Sequence, residues 1–262
     1  MKLIEMNRDE VQAACGHAVA LLPIAAIEQH GPHLAISTDT AIVSAVAESA
    51  ESALPEHVVL CPTLPYGASH HHFGFGATMS LLPETYVQVL VDLAGSLLHS
   101  GFRRIVFLNG HGGNIAAAKH VLTILTQRYD DQYRPNIVLA TYWELAGKPF
   151  SGEPPMESAA LAHACEYETS LMLHLYPERV QMEKAKPIIP PPGNSYFGWE
   201  NEIPNRGVTI SKSTHFLSSS GSVGSPHLAT ADKGRKLMEE AITATIEFLD
   251  EFRTWPLLPD LR

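Results

Sequence analysis

Long apolar runs are absent from this 262-residue chain. None approaches the roughly 18 uninterrupted apolar residues of a membrane span, so no membrane partner is expected. Cysteine is scarce: Cys15, Cys61 and Cys165 are scattered and odd in number. That excludes a disulfide framework and suits a reducing cytoplasm. Basic side chains are outnumbered, with 18 Lys and Arg against 28 Asp and Glu and a formal charge of −10. This argues against a nucleic-acid partner, because replacing phosphate counterions takes a basic face. The opening Met1-Lys2-Leu3-Ile4-Glu5 is charged too early for a secretory signal, so a cytoplasmic location is expected. Internal repeats and low-complexity segments are missing. So are the G-x-S-x-G elbow, the G-x-G-x-x-G fingerprint and the G-x-x-x-x-G-K-[ST] phosphate loop.

What is present fits a folded protein with a sizeable core: 45% of residues are hydrophobic and 18% charged. Short apolar runs at Ala18–Ile27, Val58–Cys61, Arg104–Leu108 and Asn136–Tyr142 read as strands. Periodic segments at Thr40–Leu54, Pro83–Ser100, Asn114–Arg128, Glu166–Leu175 and Ala229–Phe252 read as helices, with Pro83 in a first turn and Gly101 after a last one. The alternation predicts one α/β domain over 1–262, with a mostly parallel sheet and helices on both faces. The Pro-, Gly- and Ser-rich stretch Lys186–Pro226 is expected to form ordered loops and short strands, packed through Tyr196, Phe197, Trp199 and Phe216.

Fourteen histidines, many beside glycines, give the first hint of metal chemistry. Glu28-Gln29-His30-Gly31-Pro32-His33 follows the first predicted strand, with Asp39 nine residues past His30. In extended chain Glu28 and His30 point the same way, so a carboxylate and an imidazole suit one Zn²⁺, Mn²⁺ or Fe²⁺ centre. The plain alternatives are a surface turn for this pair and a helix cap for Asp39. Asn109-Gly110-His111-Gly112-Gly113-Asn114 follows the third strand. Its glycines let the backbone turn sharply, and the central histidine favours a metal over a phosphate. In His163-Ala164-Cys165-Glu166-Tyr167-Glu168, the spacing of two keeps Glu166 and Glu168 off one helix face, so one of them is expected to point into a site. His163 reads as an acid/base or a helix-start histidine, and Cys165 as a buried inert thiol more readily than as a ligand or nucleophile. Of His70-His71-His72, one is expected to reach substrate; regular structure cannot aim all three at one ion.

These motifs, with Tyr66-Gly67, Tyr142-Trp143, Glu168-Thr169-Ser170 and Gly224-Ser225-Pro226, closely resemble the creatininase (creatinine amidohydrolase) family in order and spacing along nearly the whole chain. The resemblance implies a three-layer α/β/α fold, a homo-oligomer that is often a hexamer, and a pair of divalent metals. It implies hydrolysis of a non-peptide or cyclic amide C–N bond in a small-molecule substrate, by a hydroxide held between the metals. Carried over by position, the ligands are Glu28, His30, Asp39, His111 and Glu168, with Asp39 as bridge. His163 matches a histidine that handles protons, and substrate contacts are expected from Trp143, Tyr66 and His72. Two positions depart from creatininase proper. Gly113 stands where that enzyme has a glutamate, and Ser158–Ala162 lacks a tryptophan. Both serve creatinine turnover, so the chemistry carries over while the substrate is left open. Other members with the Gly-Gly-Asn form act on pyrimidine-derived formamides or on a peptide. The rival class is a non-catalytic metal- or nucleotide-binding protein of the same fold.

Overall fold

Four apolar segments pair side by side in a computed structural model that describes residues 1–196 and 208–262. They are β1 (Val19–Ile24), β2 (Val58–Leu60), β3 (Arg104–Asn109) and β4 (Asn136–Thr141), all parallel, in the order β2-β1-β3-β4. Every residue of β1 is buried, as befits a strand covered on both faces. Its period-two alternation sorts two cores. Val19 and Leu21 join Val106 and Leu108 against α2 (Thr38–Ala53), α5 (Tyr142–Ala146), α6 (Glu166–Leu175) and α7 (Ala231–Phe252). Ala20, Leu22 and Ile24 join Ile105 and Phe107 against α1 (Arg8–Ala14), α3 (Pro83–His99) and α4 (Asn114–Tyr133). The result is the expected three-layer α/β/α arrangement.

Pro23 lies inside the central strand, where a missing N–H would normally break a ladder. It falls at a gap. The β2 chain bonds Leu21 through Cys61, then rejoins β1 at Leu64, whose N–H donates to the Pro23 carbonyl at 2.9 Å. The donor that proline lacks therefore faces the stretch where no partner strand runs.

Three differences from the sequence expectations have local causes. Helix α1 was not anticipated, although Asn7 and Glu10 form a complete capping box at its start. The first strand stops at Ile24, so Ala25–Ile27 leave the sheet toward the site, and the fourth gives way at Tyr142 to α5. In the stretch 186–226, the described residues hold no strand beyond an isolated bridge of Ile188 with Gly224. Its buried anchors are Thr214, Ser218, Ser222 and Val223, whereas Tyr196 and Phe216 are exposed. Phe197 and Trp199 lie outside the described residues. No helix among the described residues is long and apolar enough to cross a membrane.

Helices α6 and α7 approach most closely at Gly234, where a Cβ would sit 1.8 Å from the Ser170 carbonyl oxygen. That backbone cannot give way locally. Gly234→Ala should therefore cost about 3 kcal/mol, the upper end for overpacking. Gly16→Ala, with nothing within 4 Å of the new methyl, should change stability little. Urea denaturation of both variants checks this, and equal midpoints would contradict the close contact.

Candidate metal centre

The sheet order reverses at β1. The chain leaves β1 through α2 on one face and β3 through α4 on the other, so a crevice opens beyond their carboxyl ends. Five short segments meet there. Glu28 and His30 come from the turn after β1, Asp39 from the first turn of α2, and His111 from the turn after β3. His163 and Glu168 come from the start of α6, and His71 and His72 from the 3-10 turn His70–Phe75. Glu28, His30, Asp39, His72 and His111 are all buried.

The carboxylates aim at the imidazoles without bonding them well. Asp39 Oδ1 lies 3.1 Å from His30 Nε2, and Asp39 Oδ2 lies 3.1 Å from His111 Nδ1. Glu28 Oε2 is 3.3 Å from His111 Nε2, and Glu28 Oε1 is 3.2 Å from His72 Nε2 and 3.5 Å from His163 Nδ1. Glu168 Oε2 is 3.8 Å from His30 Nε2. Both Glu28 oxygens and Asp39 Oδ2 are buried without a hydrogen bond, a costly state for a carboxylate. Two tetrahedral ligands about 2.1 Å from one zinc stand about 3.4 Å apart, the spacing of these donors. Four overlapping triads place one donor atom per residue within 4.8 Å of one another: Glu28-His30-Asp39, His30-His163-Glu168, Glu28-His71-His111 and Glu28-His72-His163.

Backbone partners assign the tautomers. His30 Nδ1 donates to the Glu28 carbonyl at 3.1 Å, so Nε2 is the nitrogen turned toward Asp39. His163 Nε2 donates to the Gln29 carbonyl at 2.8 Å, which leaves Nδ1 toward Glu28. His111 Nε2 contacts Ser69 Oγ at 3.1 Å, which leaves Nδ1 toward Asp39. His72 is reversed. The Gln29 amide, oriented by the Gly31 N–H, donates to His72 Nδ1 at 2.7 Å, so His72 Nε2 carries the proton toward Glu28.

Electrostatics favour positive charge. Burial raises the Glu28 carboxyl, but His111 and His72 outweigh it and hold Glu28 well below the carboxylate range. Burial disfavours charge on His30 and His111, yet Asp39 and Glu168 raise His30, and Glu28 with Asp39 raises His111 to about 9. Burial, with His30 and His72, keeps His163 well below its usual range and hence neutral. A field that favours protons on His30 and His111 also favours a divalent cation among the same atoms.

The other expectations sort cleanly. Ser37 makes no side-chain cap on α2, and Asp39 turns to the site rather than capping the helix. Glu168 faces the site, where its carboxylate accepts the Ala164 N–H. Ala164 carries φ +49, a strained left-handed conformation held between His163 and α6. Glu166 points the other way, to Lys233 Nζ at 2.6 Å and the Ser158 N–H at 2.7 Å. Cys165 is buried, and burial pushes its thiol up to about 12, which makes it no nucleophile at neutral pH. Trp143, His72 and His163 line a cavity of about 450 Å³ above the cluster. Tyr66 does not: it is 41% exposed and away from the cavity wall. His70 turns out of the site to Ser80 Oγ at 2.8 Å, whereas His71 stacks on His111 at 5.8 Å. A Cβ at Gly113 would lie 2.4 Å from both the Ala68 carbonyl oxygen and His111 Nε2, and 3.0 Å from His71, so this packing admits no side chain at 113. The sequence reading missed His71, Gln29, Ser69 and Thr214. Only the run of histidines signalled any of them.

Fold and site together define a class: a doubly wound α/β protein with a carboxylate- and imidazole-lined pocket at its switch point. The family model described as Creatininase: Creatinine amidohydrolase matches residues 4–249, and the chain belongs to that family. A mycofactocin precursor peptide peptidase from Mycobacterium tuberculosis is 31% identical over 232 residues, 83% of this chain and 78% of that protein. A crystal structure of creatinine amidohydrolase (creatininase) superposes with TM-score 0.81 at 23% identity, covering 97% of this chain and 98% of its own. A structure described as creatininase Mn gives TM-score 0.76 at 25% identity, covering 95% and 97%. The chain is a creatininase-family amidohydrolase.

The Glu166–Lys233 pair is structural, and its pH dependence has a definite sign. Burial raises the Glu166 carboxyl, but Lys233 and the Ser158 bonds outweigh it and leave the net shift downward. The stability this contributes is present above the unfolded carboxyl value near pH 4.3 and is lost as pH falls through the lower folded value. Glu166→Gln should therefore be less stable than the parent by about 3 kcal/mol at pH 7, with the gap closing below about pH 4. A pH-independent gap in urea melts would contradict the ion pair.

Proposed function

We propose that this chain hydrolyses a C–N bond of an amide substrate with two divalent cations, zinc, manganese or iron, held at the switch point. The observation that carries this is Asp39, whose two oxygens face different imidazoles at 3.1 Å each. The donors that would hold the two cations are Glu28, His30, Asp39, His111 and Glu168, with Asp39 turned toward both His30 and His111. Divalent ions bound there supply water acidified toward neutral pH and polarise the amide carbonyl.

The chain's own groups do the rest. His163, neutral and with its Nδ1 lone pair facing the site, takes a proton from the attacking water and passes it to the leaving nitrogen. One water is consumed, a C–O bond forms, the C–N bond breaks, and acid and amine leave. His72, whose Nε2 lies 3.2 Å from Glu28 Oε1, steadies that carboxylate by charge and proximity. Trp143 packs against the substrate. The peptidase relative extends the expected substrate from non-peptide and cyclic amides to short peptides. Gly113, locked by His71 and His111, leaves no room for the glutamate of creatininase proper and turns the reading away from creatinine. A homo-oligomer in the cytoplasm belongs to the same reading.

Removing metal with a chelator should abolish turnover of formamides, lactams and short peptides, and adding Zn²⁺ or Mn²⁺ should restore it. His111→Ala should lose both metal and activity with the fold retained, as circular dichroism would report. His163→Ala should keep its metal while kcat falls on the order of 10²- to 10⁴-fold. An active His111→Ala enzyme would sink the ligand assignment. Metal bound without turnover of any amide would favour a binding protein.

A further inference from the structure

The cavity above the cluster is lined by groups of different character. Its floor carries the carboxylates of Glu28, Asp39 and Glu168, with Glu144 also on its lining. One part of the wall is apolar: Trp143, Leu161, Leu217 and Val223. Among the described residues, Lys212 is the only lysine or arginine lining it. In a chain of net charge −10, a lone cation in a carboxylate-lined cavity would be expected to pair with one of those carboxylates. Among the described residues Lys212 pairs with none of them. Its Nζ lies instead 5.9 Å from the Phe216 ring centroid. The segment that carries it is anchored to the site: Thr214, two residues on and buried, meets His72 Nδ1 through its hydroxyl at 3.1 Å. Lys212 itself is exposed, on the solvent side of this anchored segment and on the cavity lining.

Resting on the hydrolase reading above, we infer that Lys212 is a specificity-determining residue that binds a carboxylate of the substrate. The substrate class is an amide whose nitrogen belongs to an amino acid with a free carboxylate, namely an N-acyl amino acid or the last peptide bonds of a short peptide. The scissile amide rests on the imidazole and carboxylate floor, an aliphatic or aromatic side chain meets the Trp143 wall, and the carboxylate meets Lys212. A single ammonium is a point charge without the fork of donors that an arginine would offer, which suits one carboxylate. A volume of about 450 Å³ lies within the roughly 300–1,000 Å³ of small-molecule sites and accommodates such a molecule.

The test uses zinc- or manganese-loaded protein and matched pairs that differ only at the carboxyl end: N-formyl-leucine and N-formyl-leucinamide, and Ala-Ala-Leu with its carboxamide. The free acids should show kcat/KM higher by about tenfold, carried by KM, the scale of one charge-assisted hydrogen bond. Lys212→Met should erase the difference, and Lys212→Arg should keep most of it. Calorimetric binding of leucine against leucinamide reads the same contact without turnover. Turnover of the panel with acid and carboxamide used equally, or a preference that survives Lys212→Met, overturns the inference and leaves amide hydrolysis standing. No turnover of any member, with leucine still bound better than leucinamide only when Lys212 is present, supports the carboxylate contact and counts against the hydrolase reading.

Discussion

Three carboxylates, Glu28, Asp39 and Glu168, and four imidazoles, His30, His72, His111 and His163, crowd together beyond the ends of β1 and β3, where they repel, desolvate and partly neutralise one another. This cluster is the constraint that the rest of the structure answers to. Glu28 and Asp39 hold buried oxygens with no hydrogen bond, a state that costs several kcal/mol per group unless a cation compensates it. Surrounding backbone supplies what the side chains cannot. The carbonyls of Glu28 and Gln29 take one proton each from His30 and His163, so the free nitrogens turn inward. Main chain thus sets which nitrogen of His30 and of His163 turns inward, while the side chains of Gln29 and Ser69 orient His72 and His111.

The topology makes that organisation available. With strand order β2-β1-β3-β4, the turns after β1 and β3 depart to opposite faces, and their side chains converge across the gap. The helices then lock the second layer. Asp39 rides the first turn of α2, and Glu168 rides α6, whose position is set by the backbone contact at Gly234 and by the buried Glu166–Lys233 pair. The strained Ala164 sits between His163 and α6, where its N–H reaches Glu168. Strain, close packing and an unusual ion pair all lie within a few residues of the cluster, as expected where a fold is held in a geometry it would not otherwise choose.

Much of this was legible from the chain itself. The strands were visible as short apolar runs because a two-faced parallel sheet needs continuous burial, and Glu28, His30 and His111 stood out because they follow strands closely; Asp39 read as a helix cap until the family resemblance was drawn. Helical geometry showed that only one of Glu166 and Glu168 could face the site, and the family resemblance, not the spacing, pointed to Glu168. What stayed hidden depends on three-dimensional approach. Gln29 reads as an ordinary polar residue until His72, His163 and Gly221 gather round it. His71 could not be told from His70, because a 3-10 turn, not a strand or an α-helix, decides which of them faces the site. Tyr66 sits in a family-like loop yet turns to solvent, since a motif specifies neighbours along the chain and not the side to which each ring points. Phe216 of the 186–226 stretch misled for the same reason: among the described residues that segment is anchored by Val223 and by the small hydroxyl side chains of Thr214, Ser218 and Ser222.

Asp39, which faces both His30 and His111, would serve two cation sites, and this is the central claim of the proposed function. Elemental analysis of protein purified without an affinity tag or chelator, run beside Asp39→Asn, tests it most directly. The account predicts about two divalent ions per chain in the parent and loss of both in the variant, because one carboxylate serves both sites. A single ion per chain that survives Asp39→Asn, or no ion taken up when Zn²⁺, Mn²⁺ or Fe²⁺ is supplied, would contradict it.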